Sequence, residues 1–471
     1  LTWSPLKFAS IRRPDAKPVI LWRRISLASE RGKNRVSKMN IKAAAVLSFV
    51  PAFVVSCQPA AEQTGDPMEE ISTAYVKLVL AMGQHDADYV DAYLGPDEWK
   101  TDAVRNAWTI DEIQTRAAAL YHQLNSLPSP TENLEIARTT HLAKSIQSLI
   151  ARADLLSGKM LSFDQESLAL YDAEAPSNSN EYYQEILDEL DAQLPGEGLL
   201  IDRFERFKAD FVIPPNKLDE VFRTAIAACR ERTARWIDLP ADESFAIEYV
   251  TDKSWSAYNW YKGDYHSLIQ VNTDLPIYID RAIDLACHEG YPGHHVYNVL
   301  LERELVRGRN WTEFTVYPLF SPRSLIAEGS ANFGIKVAFP GQERLEFERH
   351  VLFPLAGLDP TGVERYYEIS ELSDRLQYAG NEAARRYLDG EIDRGQAAAW
   401  LSTYAMMPTP RAEQRVRFID QYRSYVINYN LGQDLVQDYI ERRGGTSDNP
   451  EQRWREFVML LSTPMLPSEL K

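Results

Sequence analysis

The chain has 471 residues, with 51 Lys and Arg against 68 Asp and Glu, 8 His and only 3 Cys. A net charge of −17 at pH 7 argues against a protein that binds nucleic acid through a basic surface, and three cysteines exclude a disulfide framework. The segment 1–57 carries 11 Lys and Arg against 2 Asp and Glu, so the remainder has 40 against 66 and a net charge of −26.

The segment 1–57 has the composition of a targeting sequence. Residues 1–38 are basic, show no core pattern and precede the first methionine, so we expect upstream sequence translated from a misplaced start. An arginine-rich transit peptide is the alternative. Residues 39–57 follow the order of a signal peptide, and their apolar run at 43–55 is shorter than the roughly 20 residues that a transmembrane helix needs.

The signal peptide ends in Val-Val-Ser-Cys, which resembles the lipobox of bacterial lipoproteins. We therefore expect cleavage before Cys57, lipidation of its thiol and a polar tether at 58–67. The expected location is the bacterial cell envelope, and Gln58 after the cysteine favours the periplasmic face of the outer membrane.

Residues 68–471 are predicted to form a single domain. Helical periodicity dominates residues 68–240, with breaks at 95–96, 127–130 and 214–215. The segment 91–94 is interpreted as a helix end whose acidic side chains face water. After a small sheet, we expect metal-site helices at 278–340 and further helices at 341–471.

Two cysteines remain beyond Cys57. Cys229 and Cys287 each lie in an apolar helical pattern, although an oxidising periplasm would allow them to pair. Buried free thiols are the favoured interpretation.

The pattern changes to short strands between residues 245 and 276. Strands are predicted at 245–250, 257–262 and 267–271, with turns at 252–253 and 263–264. A small sheet immediately before the His288-Glu289 helix resembles the arrangement of zincin folds, in which an edge strand lies over the metal and pairs with an extended peptide. His266 is predicted to lie on the sheet surface rather than to bind a metal. Five aromatic residues could line a substrate groove or pack the sheet onto helices: Trp255, Tyr258, Trp260, Tyr261 and Tyr265.

The most informative motif is HEGYPGHH at 288–295, which follows a helical pattern at 279–287. Neutral imidazole is a favoured zinc ligand, but in a regular helix His294 would point roughly 240° away from His288. Pro292 and Gly293 allow the helix to deform.

Two residues absorbed as π-type bulges would bring His294 next to His288, whereas His295 would need three. We therefore predict His288 and His294 as ligands, with His295 as an outer or substrate-side residue. The structural alternative is a set of histidines at a helix C-terminus, where imidazolium interacts well with the helix dipole.

A third ligand is predicted in the apolar helical segment 324–333. Glu328 is its only acidic residue, and a buried carboxylate is costly unless it is paired or coordinates a metal. Arg323 is the alternative partner. Asn332, one turn later, could hydrogen-bond a ligand histidine from outside the metal site.

Near the end of the chain, Tyr422, Tyr425 and Tyr429 fall close to helical spacing ahead of Gly432. A phenol beside a metal could stabilise the oxyanion that forms when a carbonyl is attacked. A stripe of core aromatic residues is the alternative for all three.

HEGYPGHH followed by AEGSANF, with the segments 86–96 and 428–432, resembles the bacterial domain-of-unknown-function 885 family, whose members carry HExxPGHH and then EGxA. The resemblance extends over most of the chain after the signal peptide. That family resembles the gluzincin metallopeptidases, which implies one zinc ion held by two histidines and a downstream glutamate. It implies Glu289 as general base and favours Tyr429 as the oxyanion partner. Many members have an aromatic residue where this chain has Ser330, a departure expected to reshape the pocket and to leave the ligand in place.

The predicted fold is mostly α and zincin-like, with a small β-sheet beside the helix that carries His288 and Glu289, and a helical shell around a cleft. The predicted function is a zinc-dependent hydrolase of peptides or other amides, in which Glu289 acts on a metal-activated water. An envelope amidase or esterase, and a non-catalytic lipoprotein that binds a metal or ligand, are the alternatives. The ligand types leave open another divalent ion.

Overall fold

The computed structural model describes residues 66–471. The predicted misplaced start, signal peptide, lipidation at Cys57 and nearly all of the tether therefore lie outside the described residues. Within the described range the chain is mostly helical with small sheets, which confirms the mostly α prediction. No helix in this range is long and apolar enough to cross a membrane.

The N-terminal part is helical, as predicted. Asp66 caps the first helix by accepting a hydrogen bond from the backbone N–H of Met68. The predicted breaks at 95–96, 127–130 and 214–215 all fall between helices. The helices are α1 (Pro67–Met82), α2 (Asp97–Asn106), α3 (Ile110–Asn125), α4 (Asn133–Leu156), α5 (Phe163–Tyr171), α6 (Asn180–Gln193), α7 (Leu200–Ala209) and α8 (Leu218–Ala234).

Strands form two small sheets in the described range. They are β1 (Val90–Tyr93), β2 (Ser244–Val250), β3 (Ala257–Gly263), β4 (His266–Asn272) and β5 (Val316–Pro318). The larger sheet has the order β2-β4-β3, with β2 parallel and β3 antiparallel to β4. The three strands predicted between 245 and 276 are thus confirmed, and His266 is exposed as predicted.

The segment 91–94 is not a helix end, and this prediction is wrong. β1 pairs antiparallel with β5, and the register joins Tyr93 to Val316. The partner strand lies far away along the chain, so local sequence carries no signal for the pairing. The strand turns Asp91 toward a cleft instead of toward bulk water.

The remaining helices follow the sheet. They are α9 (Asp280–Leu285), α10 (His294–Leu301), α11 (Pro322–Ala338), α12 (Gln342–Phe347), α13 (Phe353–Ala356), α14 (Val363–Asp374), α15 (Ala379–Leu388), α16 (Arg394–Tyr404), α17 (Thr409–Tyr422), α18 (Ile427–Arg442) and α19 (Pro450–Ser462). Within residues 66–471, three π-helical segments lie at Ala286–Gly290, Glu302–Arg307 and Glu348–Leu352. Short 3-10 turns lie at Pro215–Lys217, Thr312–Thr315, Pro360–Gly362, Arg423–Val426 and Pro467–Leu470.

Helix α11 lies between the two largest hydrophobic cores. Leu325 packs into one core, and Ile326 and Phe333 pack into the other. A helix that is buried on nearly all sides has little room for a charged residue. Glu328, the acidic residue of this helix, is therefore fixed in position by the two cores that surround the helix.

Helices α11 and α18 cross at two glycines. A Cβ on Gly329 would lie 2.3 Å from the carbonyl of Gly432, and a Cβ on Gly432 would lie 2.7 Å from the carbonyl oxygen of Leu325. Only glycine permits backbones to approach this closely. The crossing brings Glu328, next to Gly329, against the tyrosines that precede Gly432.

Cys229 of α8 and Cys287 form a disulfide, so the prediction of free thiols is wrong. Both cysteines are fully buried, and their Cα atoms are 5.7 Å apart, within the normal range for a disulfide. The sequence pattern placed each residue on a buried face, but a burial pattern does not reveal which two faces meet. The bond joins α8 to the residue immediately before His288.

Candidate metal centre

The HEGYPGHH segment folds as a π turn, a break and a new helix. α9 runs into the π-helical segment Ala286–Gly290, Tyr291 is extended, and α10 begins at His294. The N–H of Gly293 donates to the carbonyl of Cys287, and a Cβ at this position would lie 1.9 Å from the carbonyl oxygen of His288. The prediction was two π-type bulges within one continuous helix. The structure has one π turn, after which the helix ends and α10 begins, because Pro292 has no N–H to donate to the helical hydrogen bonds.

This geometry brings the three predicted ligands together. The Nε2 atoms of His288 and His294 are 3.1 Å apart, and Oε2 of Glu328 lies 3.2 Å and 3.5 Å from them. Zinc bonds of about 2.0–2.2 Å at tetrahedral angles place ligand atoms roughly 3.3–3.6 Å apart. The triangle therefore has the size that a single small cation requires.

The charges around the triangle also fit a cation. Burial acts to raise the pKa of Glu328, but the nearby imidazoles outweigh burial and hold it well below its ordinary value. Burial acts to lower the pKa of His294, but Glu328 raises it to about 9. Oε2 of Glu328 is nevertheless buried without a hydrogen-bond partner in residues 66–471. An orphaned carboxylate oxygen facing two ring nitrogens is typical of a metal site.

Asn332 orients the first histidine. Its Nδ2 donates to the carbonyl of Tyr429 at 2.9 Å, so its Oδ1 faces Nδ1 of His288 at 2.8 Å. An amide oxygen only accepts, so Nδ1 carries a proton, and in the neutral ring Nε2 offers its lone pair to the triangle. The structure thus places Asn332 where an outer hydrogen-bond partner was predicted.

The carboxylate of Glu328 is held by Tyr425, a contact that the sequence did not predict. The Tyr425 hydroxyl donates to Oε1 of Glu328 at 2.8 Å, which leaves Oε2 to face the histidines. The alternative partner Arg323 instead donates to Asn298 and stacks on the ring of Tyr317. Spacing had placed Tyr425 in a stripe of tyrosines but could not say which member reaches the carboxylate.

Glu289 lies beside the triangle and is only 4% exposed. Burial raises the pKa of Glu289, and the charges of His288 and His294 oppose this rise. Its Oε2 has no hydrogen-bond partner in the described range, while Asn259 of β3 donates to its backbone carbonyl at 2.6 Å. A buried carboxyl group beside the triangle, with its pKa raised by burial, is placed to accept or donate a proton there.

Tyr429 lines the same cleft. Its hydroxyl makes no hydrogen bond within the part of the chain that the structure describes, and burial raises its pKa well above the ordinary value. The phenol therefore stays protonated and can donate to a bound group. The backbone of the same residue positions Asn332.

His295 points away from the cleft into the interior. Its Nε2 donates to Glu243 at 3.0 Å, and its Nδ1 lies 2.9 Å from the hydroxyl of Ser267. Tyr291 and Arg230 also donate to Glu243. His295 is fully buried, so the structure places it away from any substrate-side position. It anchors the segment that carries His294.

The triangle opens into a cleft of about 360 Å³. Asp91 of β1 accepts a hydrogen bond from Tyr258 of β3, and burial raises the pKa of Asp91 to about 6. Of the five aromatic residues predicted near the groove, only Trp255 and Tyr258 line this cleft. The residues that line the cleft include Asp91, Tyr258, Arg281, His288, Glu289, His294, Glu328, Arg411, Arg415, Phe418, Tyr422, Tyr425 and Tyr429.

The other three aromatic residues have different surroundings. Trp260 lines an adjoining recess, Tyr261 donates to buried Glu302, and Tyr265 stacks with Arg307. Ser330, the position at which the chain departs from the family pattern, does not line the cleft. Its hydroxyl donates to the carbonyl of Ala327 within α11.

No protein-family model matches the chain, and no curated protein does. The family resemblance of the motifs therefore stays a hypothesis. Among solved structures, a candidate lipoprotein from Colwellia psychrerythraea is similar, with 14% identity and a TM-score of 0.45 over 79% of this chain and 70% of that chain. A candidate lipoprotein of unknown function from Shewanella oneidensis has 15% identity and a TM-score of 0.42 over 78% and 74%. Neither likeness is strong enough to carry an argument.

Proposed function

We propose that the protein is a zinc-dependent hydrolase that cleaves peptides and has a zincin-like active site. The triangle of His288, His294 and Glu328, with ligand atoms 3.1–3.5 Å apart, carries this proposal. The resemblance of HEGYPGHH and AEGSANF to the domain-of-unknown-function 885 family supports it, since that family resembles the gluzincins.

The chain supplies the groups that such a reaction needs. A zinc ion bound at the triangle would polarise a substrate carbonyl and lower the pKa of water. Glu289 would accept the proton of the attacking water and return it to the leaving nitrogen. Tyr429 would donate its hydroxyl hydrogen to the developing oxyanion. Tyr425 and Asn332 would hold Glu328 and His288 in place, as their hydrogen bonds indicate.

A peptide substrate follows by analogy with metallopeptidases that share this ligand set. An amidase or esterase of the cell envelope would use the same groups on a different substrate. We also propose that Cys57 is lipidated and that the enzyme faces the periplasm from the outer membrane. This part of the proposal rests on the signal-peptide pattern alone.

The decisive experiment compares wild type with Glu289→Gln, in residues 58–471 loaded with zinc. We expect both proteins to bind one zinc ion per chain, because Glu289 is not a ligand. We expect hydrolysis of a fluorogenic peptide library to fall by at least about 100-fold in the variant, the lower end of what a general base contributes.

The matched control is Glu304→Gln, which removes an exposed carboxylate paired with Arg303. It should keep both zinc and activity. Hydrolysis of peptidoglycan fragments but not of peptides would favour the amidase. A Glu289→Gln protein as active as wild type would contradict catalysis at this site and favour a non-catalytic lipoprotein.

A further inference from the structure

One face of α17 borders the cleft with two arginines. Arg411, Arg415, Phe418 and Tyr422 follow one another at intervals of four, three and four residues, and all four line the cleft. Residues at these intervals share one side of a helix. The cleft thus has a metal-binding side, made by the motif segment and α11, and an arginine-bearing side, made by α17.

Arg415 has no anionic partner in residues 66–471. Its Nε is buried without a hydrogen-bond partner, and its guanidinium lies over the ring of Phe418 at 4.8 Å and that of Tyr429 at 5.8 Å. Burial lowers the pKa of Arg415, and no carboxylate opposes this change. Arg415 is partly buried, and a partly buried arginine without a counter-ion is costly, so its position in the cleft favours an anionic ligand.

Other arginines in the core or beside the cleft have hydrogen-bond acceptors, including Arg323, which has no ion pair in the described residues but donates to Asn298 and to the backbone carbonyl of Val316. Arg138 donates two hydrogen bonds to Glu313, and Arg281, which also lines the cleft, pairs with Asp284 at 3.2 Å. Arg411 resembles Arg415 in that burial lowers its pKa. Burial and the charge of Arg281 lower the pKa of Arg411, and the surrounding acids only partly offset this.

We propose that Arg415, assisted by Arg411, binds the free terminal carboxylate of a peptide substrate, so that the enzyme acts as a carboxypeptidase. The planar guanidinium matches a carboxylate with two parallel hydrogen bonds. Such an anion would neutralise the charge of Arg415, and Tyr429, whose ring lies 5.8 Å from that guanidinium, lines the same cleft as the proposed metal ligands. This inference rests on the proposed function and specifies its substrate class.

The test is a two-by-two comparison of kcat/KM in the zinc-loaded protein of residues 58–471. One axis is wild type against Arg415→Gln, and the other is a peptide with a free C-terminal carboxylate against the same peptide with a C-terminal amide. A charged hydrogen-bond pair contributes about 1.5–3 kcal/mol, so either single change should lower kcat/KM by roughly 10- to 100-fold. The second change should then add little, since both remove the same interaction.

Arg415→Lys, which keeps the charge but loses the paired geometry, should recover part of the activity on the carboxylate peptide. Arg455→Gln, which removes an exposed arginine paired with Glu451, should behave as wild type. The Arg415→Gln protein is expected to fold with an unchanged or higher Tm and to keep its zinc, because the substitution removes an unpaired charge.

Each outcome decides the inference. If the wild-type enzyme has equal kcat/KM for the carboxylate and amide peptides, the inference is overturned. It is also overturned if Arg415→Gln lowers kcat/KM equally for both peptides. In either case the proposal of a zinc hydrolase still stands. If neither peptide is cleaved, the proposed function fails, and binding of the two peptides by zinc-loaded wild type becomes the test. Tighter binding of the carboxylate form, lost in Arg415→Gln, supports the subsite, whereas equal binding or none overturns it.

Discussion

Two adjacent histidines face two different glutamates, one pair at the candidate metal centre and the other in the interior. His294 meets Glu328 at the triangle, and His295 meets Glu243 in the interior. Both carboxylates are buried, and the pKa of each is held below its ordinary value. Burial, charge and sequence neighbourhood therefore do not distinguish the two pairs.

The hydrogen bonds do distinguish them. Glu243 accepts from His295, Tyr291 and Arg230, so both of its oxygens are satisfied. Glu328 accepts from Tyr425 on one oxygen and leaves the other without a hydrogen-bond partner in the described residues. A satisfied carboxylate stabilises the fold, whereas a carboxylate with an open oxygen beside two imidazoles is available to a cation, which would replace the proton that Glu328 stabilises on His294.

The largest effect on metal binding is expected at Glu328. Glu328→Ala removes one of the three proposed ligands. Loss of a group that only hydrogen-bonds a ligand lowers metal affinity by up to roughly 100-fold, so loss of Glu328 itself should lower zinc affinity by more than that. Zinc content after dialysis against a metal buffer measures this, with Glu304→Gln as control. Wild-type zinc content in Glu328→Ala would show that the triangle is not the metal site.

Glu243→Gln should destabilise the fold, by about 3 kcal/mol, because it disrupts a buried hydrogen-bonded charge. Burial acts to raise the pKa of Glu243, but the hydrogen bonds from His295, Tyr291 and Arg230 lower it to about 2. A depressed carboxylate pKa contributes stability above the unfolded value of about 4.3, and this contribution is lost as pH falls toward 2.

Urea unfolding of wild type and Glu243→Gln should therefore differ most at pH 6–7 and converge near pH 2–3. Zinc affinity should change less in this variant than in Glu328→Ala. A loss of zinc in Glu243→Gln as large as in Glu328→Ala, without a loss of stability, would remove the distinction between the two pairs.

The smallest effect is expected at Asn332. Asn332→Ala leaves Nδ1 of His288 without its acceptor, so zinc affinity should fall by about 10- to 100-fold while the protein stays folded. Competition with a chelator of known affinity measures the change. Asn298→Ala offers a comparison at a nearby amide, because Asn298 donates to the backbone carbonyl of His294 and not to its ring. An equal loss in the two variants would argue against a specific role for Asn332.

The sequence by itself determined the residue types of the site and much of the local structure. Two histidines and a glutamate in HEGYPGHH and AEGSANF carry ligand chemistry wherever they lie, and Pro-Gly between the histidines predicted a deformed helix. Short apolar and aromatic runs bounded by turn residues predicted β2, β3 and β4. These signals are local and survive without knowledge of partners.

Only the tertiary structure decided which groups meet. The pairing of β1 with β5, the Cys229–Cys287 disulfide and the hydrogen bond from Tyr425 to Glu328 each join residues that lie far apart in sequence. It also decided the partner of His295, which hydrogen-bonds Glu243 in the interior, since neighbouring residues of a helix point about 100° apart and pack against different elements. The tertiary structure likewise decided that Arg415 has no ion-pair partner in residues 66–471, because the sequence does not show which side chains come close to it.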